Sequence, residues 1–385
     1  SSHFGSRDVC LLLQLIAVVP RPMSALGDWE TKACGVECRG LALGALTQDQ
    51  INSVKRQFTE HGACYFRGIT TPGSSDFCCE EHLAFSKLFG PVNVNRYFAS
   101  VEGHPSIAKI EKKEKQVRAI GEAFHSDHTY DLAPALGSVL IARDVPPKGG
   151  DTIFVDMRKA FDTLPEALKE KLEGMRAVHF SGHVFARPRA DPGTGELQYN
   201  NNAEALKTAE QACTTHPVVI RHPVSGRKTL FVNPGFTIHF EGMTPGESKP
   251  LLMQLYKHAV RAEHMFRFKW TPDSAVLWDN RAVWHCAMND YAGKYRLMHR
   301  ITIDGEPLQA ANPDRAGHST PTPKGKYHDP ETVLDQSIRQ LVQATLEMGV
   351  DNLNAVGQGE KIIPWWRTWA PEQSEASSVR LPSKL

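Results

Sequence analysis

Residues 137–155, GSVLIARDVPPKGGDTIFV, set two apolar, β-branched runs on either side of a turn made of Pro146, Pro147, Gly149 and Gly150. Each run has the length of a strand and is too short for a helix, so this stretch decides the fold. The same unit recurs downstream as HPVVIRHP (216–223), KTLFVNPG (228–235), AVLWDN (275–280) and MHRITIDG (298–305), each bounded by Gly, Pro, Asn or Asp. Two amphipathic stretches, around 161–172 and 251–260, predict helices between them. Many short strands with a few helices predict a mainly β chain with helical insertions, a jelly roll or sandwich. An alternating βαβ fold is not expected, and no Gly-rich phosphate loop argues for one.

Upstream, helices come first. TQDQINSVKRQFTEHG (47–62) has capping-box spacing at Thr47 and Gln50, a shared face of Ile51, Val54 and Phe58, and Gly62 to close it. The strand-like ACYFRG (63–68) follows at once, and DFCCEEHLAFSKLFG (76–90) predicts a second helix.

The ends have a different character. CLLLQLIAVV (10–19) resembles the core of a signal peptide but is too short to span a bilayer, and is read as a buried first strand or as sequence preceding the domain. Past about Leu308 the strand pattern stops. DPETVLDQSIRQLVQATLEMG (329–349) predicts a helix with Asp329 as N-cap, Pro330 at its first position and Gly349 as a stop. Its apolar stripe is expected to pack on the parent domain, with a homo-oligomer contact as the alternative, and PWWRTW (364–369) to dock as well. The division expected is an N-terminal segment 1–34, a main domain 35–308, and an extension 309–385 with a disordered tail. That tail closes on Ser383, Lys384 and Leu385, the address read by the peroxisomal import receptor, so a peroxisomal location is expected over secretion, and otherwise a cytoplasmic one.

A formal net charge of +1, with no basic stripe, points away from nucleic acid and anionic membranes and toward a small-molecule ligand. Eight cysteines without a CxxC pair read as reduced thiols. Cys34 and Cys38 would be half a zinc site, but no second pair at finger spacing follows.

The chemistry concentrates in HSDHTY (125–130), which places His125, Asp127 and His128 within four positions. If the stretch is extended, His125 and Asp127 share one face and His128 takes the other. His285, in LWDNRAVWHCAMNDY (277–291), is the strongest candidate for a third ligand. Two imidazoles and one carboxylate make a facial triad suited to Fe(II), with positions left open for a co-substrate and oxygen. On a strand, Arg296 and Arg300 in YRLMHR (295–300) also share a face, so two guanidiniums can point into one cavity.

At this point the chain resembles the Fe(II)/2-oxoglutarate-dependent dioxygenases of the taurine dioxygenase and phenoxyacetate dioxygenase type. The likeness runs from about Gly35 to Pro307 through FHSDHTY, PPKGGDTIFVDM, HPVSGRKTLFVNPGFT, LWDNRAVWH and YRLMHRITIDG, in that order. It implies a double-stranded β-helix (jelly roll, cupin-like) core, with Fe(II), 2-oxoglutarate and O2 as the reacting partners. Carried over residue by residue, it implies His125, Asp127 and His285 as iron ligands. Thr152 and Arg296 would bind the distal carboxylate of 2-oxoglutarate, and Arg300 the anionic group of a sulfonate, sulfate ester or carboxylate substrate. The positions that surround taurine in the family fall on Asn95, Phe98 and Gly121 here, which favours a larger or less polar anion. Phe236 and Trp278 fall where family members wall the cavity with aromatics, or are core residues. A zinc hydrolase or lyase, or a non-catalytic binding jelly roll, are the alternatives; the first leaves Thr152 and the arginines without a task.

Overall fold

The computed structural model describes residues 25–322, apart from 187, 189, 200 and 201. The apolar run 10–19, the helix expected over 329–349, PWWRTW and the terminal Ser383, Lys384 and Leu385 lie outside the described residues.

Strands dominate, as the short apolar runs require. In chain order they are β1 (Asp28–Thr31), β2 (Val36–Arg39), β3 (Ala63–Arg67), β4 (Ser100–Val101), β5 (His104–Lys112), β6 (Gly137–Asp144), β7 (Thr152–Asp156) and β8 (Arg176–Phe180). Then follow β9 (Cys213–Pro217), β10 (Val219–Arg221), β11 (Lys228–Leu230), β12 (Thr237–Phe240), β13 (Met265–Phe268), β14 (Ser274–Asp279), β15 (Val283–Ala287), β16 (Arg296–Ile303) and β17 (Thr320–Pro321). An eight-stranded sheet runs β1-β2-β3-β14-β6-β16-β5-β4, antiparallel throughout except for β2 beside β3. The smaller sheets are β13-β7-β15, β12-β8-β9-β17 and β10-β11.

One core cluster joins the large sheet to the three-stranded one. Leu140, Val276, Trp278 and Met298 of the former meet Phe154, Phe268 and Val283 of the latter. The alternate residues Ile141, Leu277 and Ile303 turn the other way and pack with Val54, Phe58 and Phe85 of the two upstream helices. The central strands are therefore buried on both faces, which is why GSVLIARDV reads as a continuous apolar run and not as an alternation.

The first helix, Gln48–His61, forms as the sequence predicts: the Thr47 and Gln50 side chains cap each other's backbone N–H groups, and Gly62 ends it in the left-handed region at φ 75°. The single helix expected over 161–172 is two, Met157–Asp162 and Glu166–Leu172. Pro165 separates them, since a proline disfavours helix at the residue before it and brings no N–H of its own. The helix expected over 251–260 starts earlier, spanning Pro245–Ala259 behind a capping box of Thr244 and Glu247. The sheets also take in residues on both sides of the expected span 35–308: β1 forms the edge of the large sheet, and β17 pairs with β9. No helix among the described residues is long and apolar enough to cross a membrane.

Two buried histidines make this fold sensitive to acid. Burial pushes His82 down to about 3 and His216 down to about 4, and each holds a backbone carbonyl, of Val139 and Thr129 respectively. Their unfolded values near 6.5 lie higher, so the unfolded chain binds more protons in acid, and stability falls as pH drops below about 6.5. Each contributes a loss of about 1.4 kcal/mol per pH unit within that window. Urea midpoints should fall steadily from pH 7 to pH 5; a flat profile contradicts the assignment.

Candidate active site

Two of the sequence-predicted ligands are hydrogen-bonded neighbours. His285 lies in the middle of β15, and an isolated bridge joins it to His125 through N–H to carbonyl bonds of 2.9 and 3.1 Å. Their ring centroids are 4.2 Å apart. Beyond His125 the expected extended strand does not continue. The chain turns: the Asp131 N–H donates to the His128 carbonyl, and His128 takes a positive φ of 59°. Asp127 stands at the start of that turn, two residues after the bridge, and His128 lies within it. Its own N–H is held by Asn280 Oδ1 at 3.2 Å, and the hydroxyl of Ser126 is tied to the Val283 carbonyl. His128 is engaged elsewhere, with its Nδ1 3.0 Å from Asp131 Oδ2.

One donor atom from each of His125, Asp127 and His285 lies within 4.8 Å of the others, and this is the one group of its kind among the described residues. Both Nε2 atoms face the carboxylate, at 3.6 Å for His125 and 3.8 Å for His285. His125 Nδ1 donates to the Ala123 carbonyl at 2.7 Å, which fixes the tautomer and leaves the Nε2 lone pair pointing inward. Burial alone would raise the Asp127 carboxyl, but Arg300 and the two histidines outweigh it and hold it well below the usual range. Burial, followed by the neighbouring His125, pushes His285 well down. An ionised carboxylate and a neutral imidazole are the deprotonated donors a divalent transition metal requires, so the set fits the expected Fe(II).

The expected anion-binding residues line the same interior. β7 pairs with β15 so that Phe154 opposes His285 and Thr152 opposes Ala287, which puts Thr152 on the face of the ligand. Arg296 and Arg300 both point inward from β16, buried to 4% and 7% exposure. Arg296 Nε and Nη2 have no hydrogen-bond partner among the described residues. The nearby carboxylates are already committed, because Arg267 holds Asp151 at 2.6 Å and Asp290 at 2.7 Å. A guanidinium buried with idle donors costs free energy unless an anion meets it, and burial pushes Arg296 below its ordinary value. Gly150 makes this placement possible: at φ 70°, a Cβ there would sit 3.1 Å from Arg296 Cδ. Arg300 donates to Asp127 Oδ1 at 3.2 Å and lies 5.2 Å from the centre of the Phe98 ring.

The remaining expected residues divide. Phe236 stands edge-on to His125 at 5.9 Å, and Trp278 lies 4.6 Å from the His285 ring, so both wall the centre. Gly121 is also adjacent, since a Cβ there would be 3.5 Å from His125 Cε1. Asn95 instead turns onto its own chain, its Oδ1 accepting from the Tyr97 N–H at 2.9 Å. Asn280, Ser138 and Trp270 were not singled out in the sequence. Asn280 Oδ1 joins the Asp127 N–H to the indole of Trp278, Ser138 Oγ lies 3.4 Å from Asp127 Oδ2, and Trp270 Nε1 donates to Thr152 Oγ1 at 3.0 Å. Only the Asn280 position carried a signal, as the residue next to Asp279 in LWDN.

The family model described as taurine catabolism dioxygenase TauD, TfdA family matches residues 26–302. An alpha-ketoglutarate-dependent 2,4-dichlorophenoxyacetate dioxygenase of Cupriavidus pinatubonensis is 31% identical over 308 residues, covering 75% of this chain and 99% of that protein. An alpha-ketoglutarate-dependent sulfate ester dioxygenase of Pseudomonas putida is 29% identical, covering 71% and 87%. Among solved structures, a taurine dioxygenase from Burkholderia xenovorans superposes with a TM-score of 0.61 at 27% identity, covering 82% of this chain and 96% of that one.

Proposed function

This chain belongs to the TauD and TfdA dioxygenase family, and from that premise we propose that His125, Asp127 and His285 hold Fe(II), Thr152 and Arg296 hold the distal carboxylate of 2-oxoglutarate, and Arg300 holds the negative group of a small organic substrate. Fe(II), 2-oxoglutarate and O2 supply an oxidation that converts 2-oxoglutarate to succinate and carbon dioxide and hydroxylates a substrate C–H. The observation that carries the assignment is the triad, its donor atoms within 4.8 Å of one another, in one interior with a buried arginine whose Nε and Nη2 are idle. A zinc hydrolase would use the triad and leave Nε and Nη2 of Arg296 without an acceptor.

The chain's own residues bind, orient and exclude water. His125 and His285 offer Nε2 lone pairs from one side and Asp127 its carboxylate, leaving the remaining directions to the co-substrate and oxygen. Arg296 presents a planar fork that matches a carboxylate better than an ammonium would. Arg300 bonds Asp127 through Nη1 while its Nε has no hydrogen-bond partner, so it can take an anion without releasing the carboxylate. Around it Phe98, Tyr199, Phe185 and Phe236 form a contiguous aromatic wall. Such a wall favours an anion with an apolar body over taurine, in keeping with the phenoxyacetate and sulfate ester named for the two relatives.

Anaerobic titration with Fe(II) and 2-oxoglutarate is expected to give a weak visible charge-transfer band, and its absence in the wild type would sink the proposal. Succinate release is then compared across phenoxyacetates, sulfate esters and alkyl sulfonates. In Arg300→Ala the band should persist while KM for the best anion rises about tenfold or more. If that variant loses 2-oxoglutarate instead, the roles of the two arginines are exchanged.

A further inference from the structure

We propose that Trp270 is a positioning residue for the co-substrate: its indole N–H, bonded to the Thr152 hydroxyl oxygen, fixes that hydroxyl as a donor and aims its proton at the carboxylate held by Arg296. This rests on the assignment of Thr152 and Arg296 to 2-oxoglutarate made above.

A threonine hydroxyl has one proton and two lone pairs, and on its own it can face an incoming group either way round. An indole N–H can only donate. The 3.0 Å bond from Trp270 Nε1 therefore uses a lone pair of Thr152 Oγ1 and leaves the hydroxyl proton to be directed elsewhere. Among the described residues that hydroxyl donates to no protein acceptor, and it is buried at 2% exposure. A buried donor without an acceptor is costly, as are the idle Nε and Nη2 of Arg296, and one carboxylate lying between them would satisfy both.

The indole is itself held firmly. β13 pairs with β7 so that Phe268 opposes Thr152, and two residues further on Trp270 folds back over the same threonine. The Phe268 ring meets it edge-on, with centroids 4.9 Å apart and planes at 90°. Both aromatics are buried, so the N–H cannot exchange its threonine for water. The hydroxyl is thus set before the co-substrate arrives, and its orientation costs no reorganisation on binding. A 2-oxo acid lacking the distal carboxylate meets the same donors and leaves them unpaired, which makes this arrangement a selector for the dicarboxylate.

The test is anaerobic titration of the Fe(II)-loaded enzyme with 2-oxoglutarate, read from the charge-transfer band, beside steady-state kinetics with 2-oxoglutarate as the varied component. Every shift in KM for 2-oxoglutarate should appear equally in the midpoint of the titration. Trp270→Phe should raise KM for 2-oxoglutarate about tenfold while leaving Fe(II) affinity and KM for the organic substrate unchanged. Thr152→Val should do the same, and the double variant should lose no more than Thr152→Val alone, because the indole acts only through the hydroxyl. Preference for 2-oxoglutarate over 2-oxobutyrate should narrow in all three. Additive losses, or an unchanged KM in Trp270→Phe, overturn the proposal and leave Trp270 as packing. Should Trp270→Phe not fold, benzothienylalanine at position 270, which swaps only the N–H for sulfur, gives the same comparison. If Thr152→Val and Arg296→Met both leave 2-oxoglutarate binding intact, the underlying assignment fails, which is a different outcome from failure at Trp270 alone.

Discussion

Asp127→Ala should abolish succinate release, lowering it at least about a thousandfold, and the variant should no longer retain Fe(II) through anaerobic gel filtration. The carboxylate is the one anionic donor of the triad, and its loss leaves two neutral imidazoles to hold a dication. It also removes the counter-charge of Arg300, which donates to Asp127 Oδ1 at 3.2 Å in a dry interior. A bare guanidinium beside the empty position repels a metal cation. The fold should survive, because the Asp127 N–H keeps its bond to Asn280 and the large sheet keeps its backbone pairing, although Arg300 of β16 and Ser138 of β6 each lose a side-chain partner. Equal circular dichroism with lost iron would support this account, whereas a variant keeping a tenth of the activity would refute it. Asp127→Asn, which preserves shape and removes charge, should fail in the same way.

Arg296→Met should raise KM for 2-oxoglutarate about a hundredfold or more, the equivalent of losing one or two charge-assisted hydrogen bonds. Its effect on stability should have the opposite sign. Without an anion, wild-type Arg296 is a buried cation with Nε and Nη2 idle, and an apolar side chain of similar length relieves that cost. The metal-free variant should therefore melt at or above the wild-type temperature. Added 2-oxoglutarate and Fe(II) should stabilise the wild type and leave the variant unmoved. A variant that is both less stable and still saturable by 2-oxoglutarate at the wild-type concentration would place the carboxylate elsewhere.

Much of this was legible in the sequence, for local reasons. The capping box at Thr47 and Gln50 and the strand length of GSVLIARDV depend on neighbouring residues alone, and both appear as the sequence predicts. The shared face of Arg296 and Arg300 depends only on the strand period. The turn that follows Asp127 was not legible in HSDHTY, which contains neither Gly nor Pro to mark it. The turn is selected by partners far along the chain, Asn280 and Val283, which tie down Asp127 and Ser126. Trp270 was hidden for a similar reason: a tryptophan near a strand end reads as core until its indole N–H is seen on Thr152. The break at Pro165 was visible in the sequence and overridden by the amphipathic pattern around it.

The bridge between His125 and His285 has a consequence for what the metal has to do. Holding two ligands 160 residues apart in sequence next to each other costs about 5 kcal/mol in loop closure for a flexible chain. Here two backbone hydrogen bonds and the sheets behind them meet that cost. The ion closes no loop and folds nothing, unlike one in a zinc finger, where the metal's affinity is also the free energy of folding. Iron in this chain should behave as an exchangeable reagent: loss to a chelator leaves a folded protein behind, and reloading needs diffusion and not refolding.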